Sequence, residues 1–371
     1  MAKLDVADLK VGQVVQATFW PNPKEGSRFS LRATHLDGER APKAVLTSDP
    51  KIVAGAPCMV RIVAIEKPER SDHGFIEVAY EGPAPFAIEG IYLDPWVARK
   101  LQVLLESGLN ILLDGPQGSG KSVLVRTLAE TLGMELVFYN CGAVIEASDF
   151  FATIQVRASE SGAPVTDFVK TEILEAIESA AETPEKRYLV FLDELNRCPE
   201  SARNALMPML DSFRRVYHPI EARFVSIPDN VQFVAAVNRG SSFTATFGID
   251  AAQFDRFAPL QVDYLPAAEE VKLLRRRHPD LGRPLIERLV AVASAIRLSE
   301  ELMRGLSVRA TEEACIYLSH PLMSAGSGDG VLQEVIKSSF CGRFEGRWDD
   351  ATSEAGAAWH VAQRVLRETK T

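Results

Sequence analysis

The chain has 371 residues, of which 46% are hydrophobic and 25% charged, and its formal net charge is −9. At about 150 residues per domain, that leaves room for two or three domains with ordinary cores. The acidic balance argues against a protein that coats nucleic acid non-specifically, and it leaves a local basic patch open.

The start, MAKLDVADLK, lacks the apolar centre of a secretory signal. No run approaches the roughly 18 apolar residues of a membrane span. Cys58, Cys141, Cys198, Cys315 and Cys341 are scattered, with no C-x-x-C pair. Such usage fits a reducing compartment, so a cytoplasmic location is expected. The six histidines form no zinc-ligand spacing.

Residues 1–82 read as β-structure. Short apolar stretches at Val11–Phe19, Phe29–Ala33, Cys58–Ile65 and Phe75–Tyr80 are separated by turn signals such as Pro21-Asn22-Pro23 and Asp72-His73-Gly74. That spacing predicts a small barrel. The prolines and glycines of 83–90 read as a linker.

From 91 to 266 the rhythm becomes α/β. Asn110–Asp114, Leu136–Tyr139, Tyr188–Leu192 and Val231–Val237 are nearly continuous apolar runs, which suit strands buried on both faces of a parallel sheet. Between them, Thr171–Glu182 predicts a helix with Ile173, Leu174, Ile177 and Ala181 on one face. After Pro266 the strands stop. Leu285, Leu289, Val292 and Ile296 mark a helix starting at Pro284, and Ala355–Arg367 reads as the last helix. The expected order is a β-barrel, an α/β core with a parallel sheet, and a helical lid over 267–371.

Gly115-Pro116-Gln117-Gly118-Ser119-Gly120-Lys121-Ser122 matches G-x-x-x-x-G-K-[ST]. Its glycines let the backbone curl so that successive N–H groups converge on phosphate oxygens. The helix that follows adds the positive end of its dipole. Lys121 is placed to reach β- and γ-phosphates, and the Ser122 hydroxyl to ligate Mg²⁺. A strand before the loop, and Leu124, Leu128 and Leu132 after it, give the required context. Tyr188–Leu192 then ends in Asp193 and Glu194. Parallel sheets place ligands beyond their carboxyl ends, which puts Asp193 beside the loop as a second Mg²⁺ ligand and Glu194 where it can polarise a water.

Asp193-Glu194-Leu195-Asn196-Arg197, taken with this P-loop, resembles the AAA+ superfamily over about residues 91–371. Within it the chain is similar to the MoxR-like and dynein/midasin-related branch, where D-E-I-N-R is the usual form. The resemblance implies an ATPase that uses ATP and Mg²⁺ and works as a homo-oligomer, with six subunits favoured. It implies Asn238 as the sensor-one asparagine and Arg256, in Phe254-Asp255-Arg256-Phe257, as an arginine finger acting on a neighbouring subunit. Arg309 resembles sensor two on the lid, and Asn140 the residue that restrains the catalytic glutamate. Arg197 is open between an ion pair and a nucleotide contact.

Two stretches resemble insertions of this branch that touch substrate or partner. Phe150–Lys170 is expected as a hairpin, Thr153–Arg157 against Val165–Val169, and Arg214–Asp229 as a second one. Arg275-Arg276-Arg277-His278 reads as a solvated basic helix face. Gly240–Ala245 faintly matches a loop of bacterial transcription activators, but its position after Asn238 discounts it.

Residues 1–82 show the strand pattern of OB-type barrels, with Phe19, Trp20, Phe29, Arg28 and Arg32 as candidates for nucleic-acid contact. Docking to a protein is the alternative. Three functions follow as expectations. The first is a ring that remodels or activates a partner protein, in relatives often of von Willebrand type. The second is a nucleic-acid-dependent motor or defence ATPase. The third is a nucleotide-gated binding module without useful turnover.

Overall fold

The computed structural model describes residues 10–21, 29–32, 43–46, 57–66, 75–83, 88, 90–158, 164–238, 250–303, 305–324 and 329–369. Gly240–Ala245, Arg28 and much of the expected linker lie outside them, as do the side chains of Phe19, Trp20, Phe29 and Arg32. The chain divides into two compact units, 1–102 and 103–371.

In the first unit, β1 (Val14–Pro21), β2 (Phe29–Arg32), β3 (Lys43–Leu46), β4 (Pro57–Glu66) and β5 (Phe75–Pro83) form one sheet in the order β2-β1-β4-β5-β3. β4 is central. It runs antiparallel to β1 and to β5, and alternate apolar side chains such as Val60 and Ile62 are buried. β3 joins β5 in parallel and was not evident from the sequence. No ladder joins edge strands β2 and β3 among the described residues.

In chain order, α1 (Pro95–Glu106) precedes the second unit's sheet strands β6 (Ile111–Gly115), β7 (Glu135–Asn140), β10 (Tyr188–Asp193), β13 (Val231–Asn238) and β14 (Ala258–Gln261). The order β14-β6-β13-β10-β7 is parallel throughout. β6, β10 and β13 are buried almost end to end, as expected of strands covered on both faces. β7 is not. It is an edge strand with one neighbour, and Phe138 stands exposed against the edge of Phe191.

α2 (Lys121–Leu132) follows β6, and α3 (Glu172–Glu182) precedes β10. α3 buries Ile173, Leu174, Ala176, Ile177 and Ala180, while Ala181 faces outward. The apolar face therefore lies one residue earlier at its end than the sequence expectation had it.

β8 (Ala152–Ala158) and β9 (Pro164–Lys170) pair as the expected first hairpin, with Thr153 opposite Val169 and Arg157 opposite Val165. The short helices α4 (Glu200–Arg203) and α5 (Met207–Leu210) lead to the second hairpin, β11 (Arg215–His218) with β12 (Arg223–Ser226). His218 is fully buried and ties the second hairpin to α3. Its Nδ1 accepts from the Glu221 N–H at 3.1 Å, which leaves Nε2 protonated to donate to Glu178 at 3.0 Å. Both ring nitrogens are thereby used, and Lys170 pairs with the Glu178 carboxylate at 2.7 Å.

Beyond α6 (Ala251–Phe254) and β14 the chain is helical: α7 (Ala267–Arg277), α8 (Arg283–Arg297), α9 (Val308–Ser319), α10 (Pro321–Ser324), α11 (Asp329–Ser339) and α12 (Glu354–Glu368). These share a core of their own, including Leu274, Leu289, Val292, Ile296, Ile336, Phe340 and Ala362. The Arg275–Arg277 run is exposed on α7, with Arg277 paired to Glu312 at 2.7 Å. No helix among the described residues is long and apolar enough to cross a membrane.

Candidate functional site

Because β6, β13, β10 and β7 are parallel and adjacent, their carboxyl ends lie side by side. Register pairs Gly115 with Asn238 and Asp193 with Asn140. One edge of the sheet thus brings together the start of the P-loop, the sensor-one candidate, the acidic pair and the restraint candidate.

The P-loop leaves β6 through a crowded turn. A Cβ at Gly115 would lie 2.1 Å from the Val262 carbonyl oxygen. Gly118 has φ +77°, and a Cβ there would lie 2.3 Å from Ser307 Cβ, on the segment that starts α9. The loop is therefore pressed against the lid at the residue where it must also curl. A Gly118→Ala variant would carry about 1–2 kcal/mol of left-handed strain, and its methyl would displace Ser307. Nucleotide titration should register at least a tenfold loss of affinity, and thermal unfolding a lower midpoint.

Lys121 is buried at 6% exposure, with Nζ donating to the Gly115 and Pro116 carbonyl oxygens at 2.9 Å each. Burial pushes its pKa down to about 8 from 10.5, opposed by the charges of Asp193, Asp114 and Glu194. Between those values the unfolded chain holds a proton that the folded chain has released. Stability must therefore rise with pH from about 8 to 10.5. Denaturant unfolding across that window should show the rise in wild type and lose it in Lys121→Met. Phosphate binding needs the charged ammonium, so nucleotide affinity should fall over the same range.

Ser122 Oγ donates to Asp193 Oδ2 at 3.0 Å. A hydroxyl and a carboxylate oxygen in contact at the end of a P-loop are hard oxygen donors suited to Mg²⁺, which keeps several waters and takes few protein ligands. The residues fit that ion.

Glu194 has φ 55° and ψ 40°, a left-handed conformation rare for a non-glycine residue. The turn is held by the Glu194 N–H, which donates to Asp193 Oδ1 at 3.0 Å, and by an ion pair from Arg197 Nη1 to Glu194 Oε2 at 3.1 Å. Asn140 does not engage Glu194. Its carboxamide oxygen accepts from the Gly142 N–H at 2.9 Å and caps the short turn Cys141–Ala143. Arg197 is thus an ion-pair partner of the glutamate.

The sequence reading missed Asn196. It is buried and donates to the Asn238 backbone oxygen at 3.1 Å, fixing one strand end against the other. Its place in D-E-L-N-R was visible, but its partner 42 residues away was not.

Arg256 lies elsewhere. β14 starts at Ala258, opposite Ile111 at the beginning of β6, whereas the P-loop leaves the far end of β6. Five residues of strand span about 16 Å, more than an arginine side chain reaches. Asn110 anchors this corner by donating to the Leu210 and Arg256 carbonyl oxygens. A cavity of about 450 Å³, lined in part by Asn110, Asp211, Arg214, Asp255 and Arg256, opens beside it. Arg309 is exposed on the first turn of α9, two residues beyond the Ser307 that meets Gly118.

Residues 110–257 match the AAA domain of the dynein-related subfamily. That stretch is similar to an AAA domain. The parallel sheet, P-loop and helical carboxy-terminal region together are the AAA+ P-loop α/β fold. An uncharacterized protein of Staphylococcus saprophyticus is 27% identical over 172 residues, covering 46% of this chain and 62% of that one. The chain thus spans under two thirds of that relative. A protein of Thauera aromatica named "Putative chaperone BssE" is 29% identical over 233 residues, covering 62% of this chain and 74% of that one. The RuvB Holliday junction branch migration motor of Thermotoga maritima overlaps at a TM-score of 0.41 and 16% identity, covering 65% of this chain and 68% of that one. The matched stretch holds every P-loop, Asp193–Glu194, Asn238 and Arg256 position named above, and Arg309 lies beyond it.

Proposed function

We propose that this chain is a subunit of a ring-forming ATPase that couples ATP hydrolysis to the remodelling or activation of a partner protein. The observation that carries the reading is the separation of Arg256 from the P-loop across the length of β6. An arginine finger there completes a site only on a second copy, so turnover requires assembly.

In this reading Lys121 and the P-loop N–H groups hold the phosphates, and Ser122 and Asp193 hold Mg²⁺, which neutralises charge on the phosphate oxygens. Glu194 accepts the proton of the attacking water and Asn238 orients that water. Arg256 of a neighbouring copy offsets the charge that develops on the γ-phosphate, and Arg309 closes the site from the lid. The MoxR-like branch, the six-subunit ring and the OB-type barrel of residues 1–82 belong to this proposal. The Thauera aromatica protein's name supports a protein substrate over a nucleic acid.

ATP turnover per subunit, followed against protein concentration with light scattering for mass, tests the reading. The expected result is turnover that rises cooperatively with assembly. Flat specific activity from a persistent monomer would contradict it.

A further inference from the structure

The carboxy-terminal helices contain a buried ion pair. Glu270 on α7 is 0% exposed, and Arg297 at the end of α8 meets it with both terminal nitrogens at 2.5 and 3.0 Å. Thr311 on α9 donates to the same carboxylate at 2.6 Å. Such a pair loses the hydration of both charges, and an apolar pair of similar volume often serves stability as well or better. What it gains here is direction, because a guanidinium has one plane and five fixed donors.

Those donors and that plane are used towards the P-loop. Arg297 Nε donates to the Leu306 carbonyl oxygen at 2.6 Å, next to the Ser307 that abuts Gly118. The guanidinium lies over the Tyr264 ring, 4.9 Å from its centroid. The Tyr264 hydroxyl donates to the Gln117 carbonyl oxygen at 3.2 Å, inside the P-loop. Gly305 leaves room for that hydroxyl, since a Cβ there would lie 2.4 Å from it. Burial raises the Tyr264 pKa, so the phenol remains a donor.

We propose that Tyr264, Arg297 and Glu270 form a positioning relay that fixes the P-loop backbone at Gln117–Gly118 against the segment carrying Ser307 and Arg309, and thereby sets nucleotide affinity. The proposal rests on the nucleotide-binding reading above. Glu270 orients Arg297, Arg297 holds both Leu306 and the Tyr264 ring, and Tyr264 holds the loop. None of the three touches the reacting atoms. The lid side of the site is thus locked by a residue of the core–lid connection, where a small rotation of the lid would release the Gln117 bond.

Tyr264→Phe removes only the hydroxyl and leaves the Arg297–Glu270 pair intact, so it tests the relay without threatening the fold. Tyr264→Leu also removes the stacked ring. Three readouts are taken on wild type and both variants: titration with a fluorescent ATP analogue, thermal unfolding, and amide exchange over residues 115–122. The relay predicts about 2- to 10-fold weaker binding for Tyr264→Phe, the scale of one hydrogen bond. Tyr264→Leu should lose more, and both should exchange faster in the P-loop while unfolding near the wild-type midpoint. Equal affinity and equal exchange in all three proteins would overturn the relay and leave the nucleotide reading standing. Failure of the wild type itself to bind the analogue would remove both.

Discussion

Glu194→Gln is expected to lower ATP turnover by about 10²- to 10⁴-fold, the range associated with a positioned general base, while leaving nucleotide affinity within about threefold. The amide keeps the shape of the carboxylate, so the turn at Asp193–Glu194 is retained. Ser122 and Asp193 contact each other without help from Glu194, so the Mg²⁺ ligands are untouched. The ion pair to Arg197 is lost, but both side chains are partly solvated at 24% and 38% exposure. Pairs of that kind contribute on the order of 1 kcal/mol or less, and the variant should stay folded. The left-handed backbone at Glu194 adds to the case. A non-glycine residue held there costs about 1–2 kcal/mol, the kind of backbone strain that clusters at functional sites. Steady-state phosphate release alongside nucleotide titration measures both halves. Turnover within threefold of wild type would remove Glu194 from the base role.

Arg256→Ala carries the second large effect, a fall of about 10³- to 10⁵-fold in turnover, the span attributed to arginine fingers. Its structural consequences should be small. Asn110 anchors this corner through the Arg256 backbone carbonyl, which alanine keeps, and the guanidinium's named partner is the Ala252 carbonyl one helical turn away. The loss should therefore appear in turnover and not in the unfolding midpoint, in nucleotide affinity or in assembly. A variant that loses activity only because it fails to assemble would place Arg256 in the interface without a role in the reaction.

The P-loop and its flanking elements were legible because a motif, a buried strand and an amphipathic helix all fall within about 25 consecutive residues. Both hairpins were expected from the resemblance to insertions of the branch, and because cross-strand pairing is local the structure pairs Thr153 with Val169 as expected. β14 was missed because Ala258-Pro259-Leu260-Gln261 contains a proline and a polar end. A proline is admissible there because β14 is an edge strand. β7 erred in the opposite direction, since its apolar run reads like an interior strand and nothing local says that it has one neighbour.

The polar contacts that set the site's geometry were the least legible. Asn196 meets Asn238, Arg197 turns back on Glu194, and Tyr264 reaches Gln117 across 147 residues. In a sequence each of these is an ordinary polar residue. Only the fold reveals which carbonyl or carboxylate it serves.

Subunit mixing tests most directly whether one site is built from two copies. Lys121→Ala ruins a subunit's own phosphate cradle but keeps its Arg256. Arg256→Ala ruins the finger but keeps the cradle. Each should be inactive alone. In an equal mixture, about a quarter of head-to-tail interfaces in a closed ring would pair an intact cradle with an intact finger, and turnover should return to a comparable fraction of wild type. A mixture that assembles yet stays as inactive as its components would contradict the shared site.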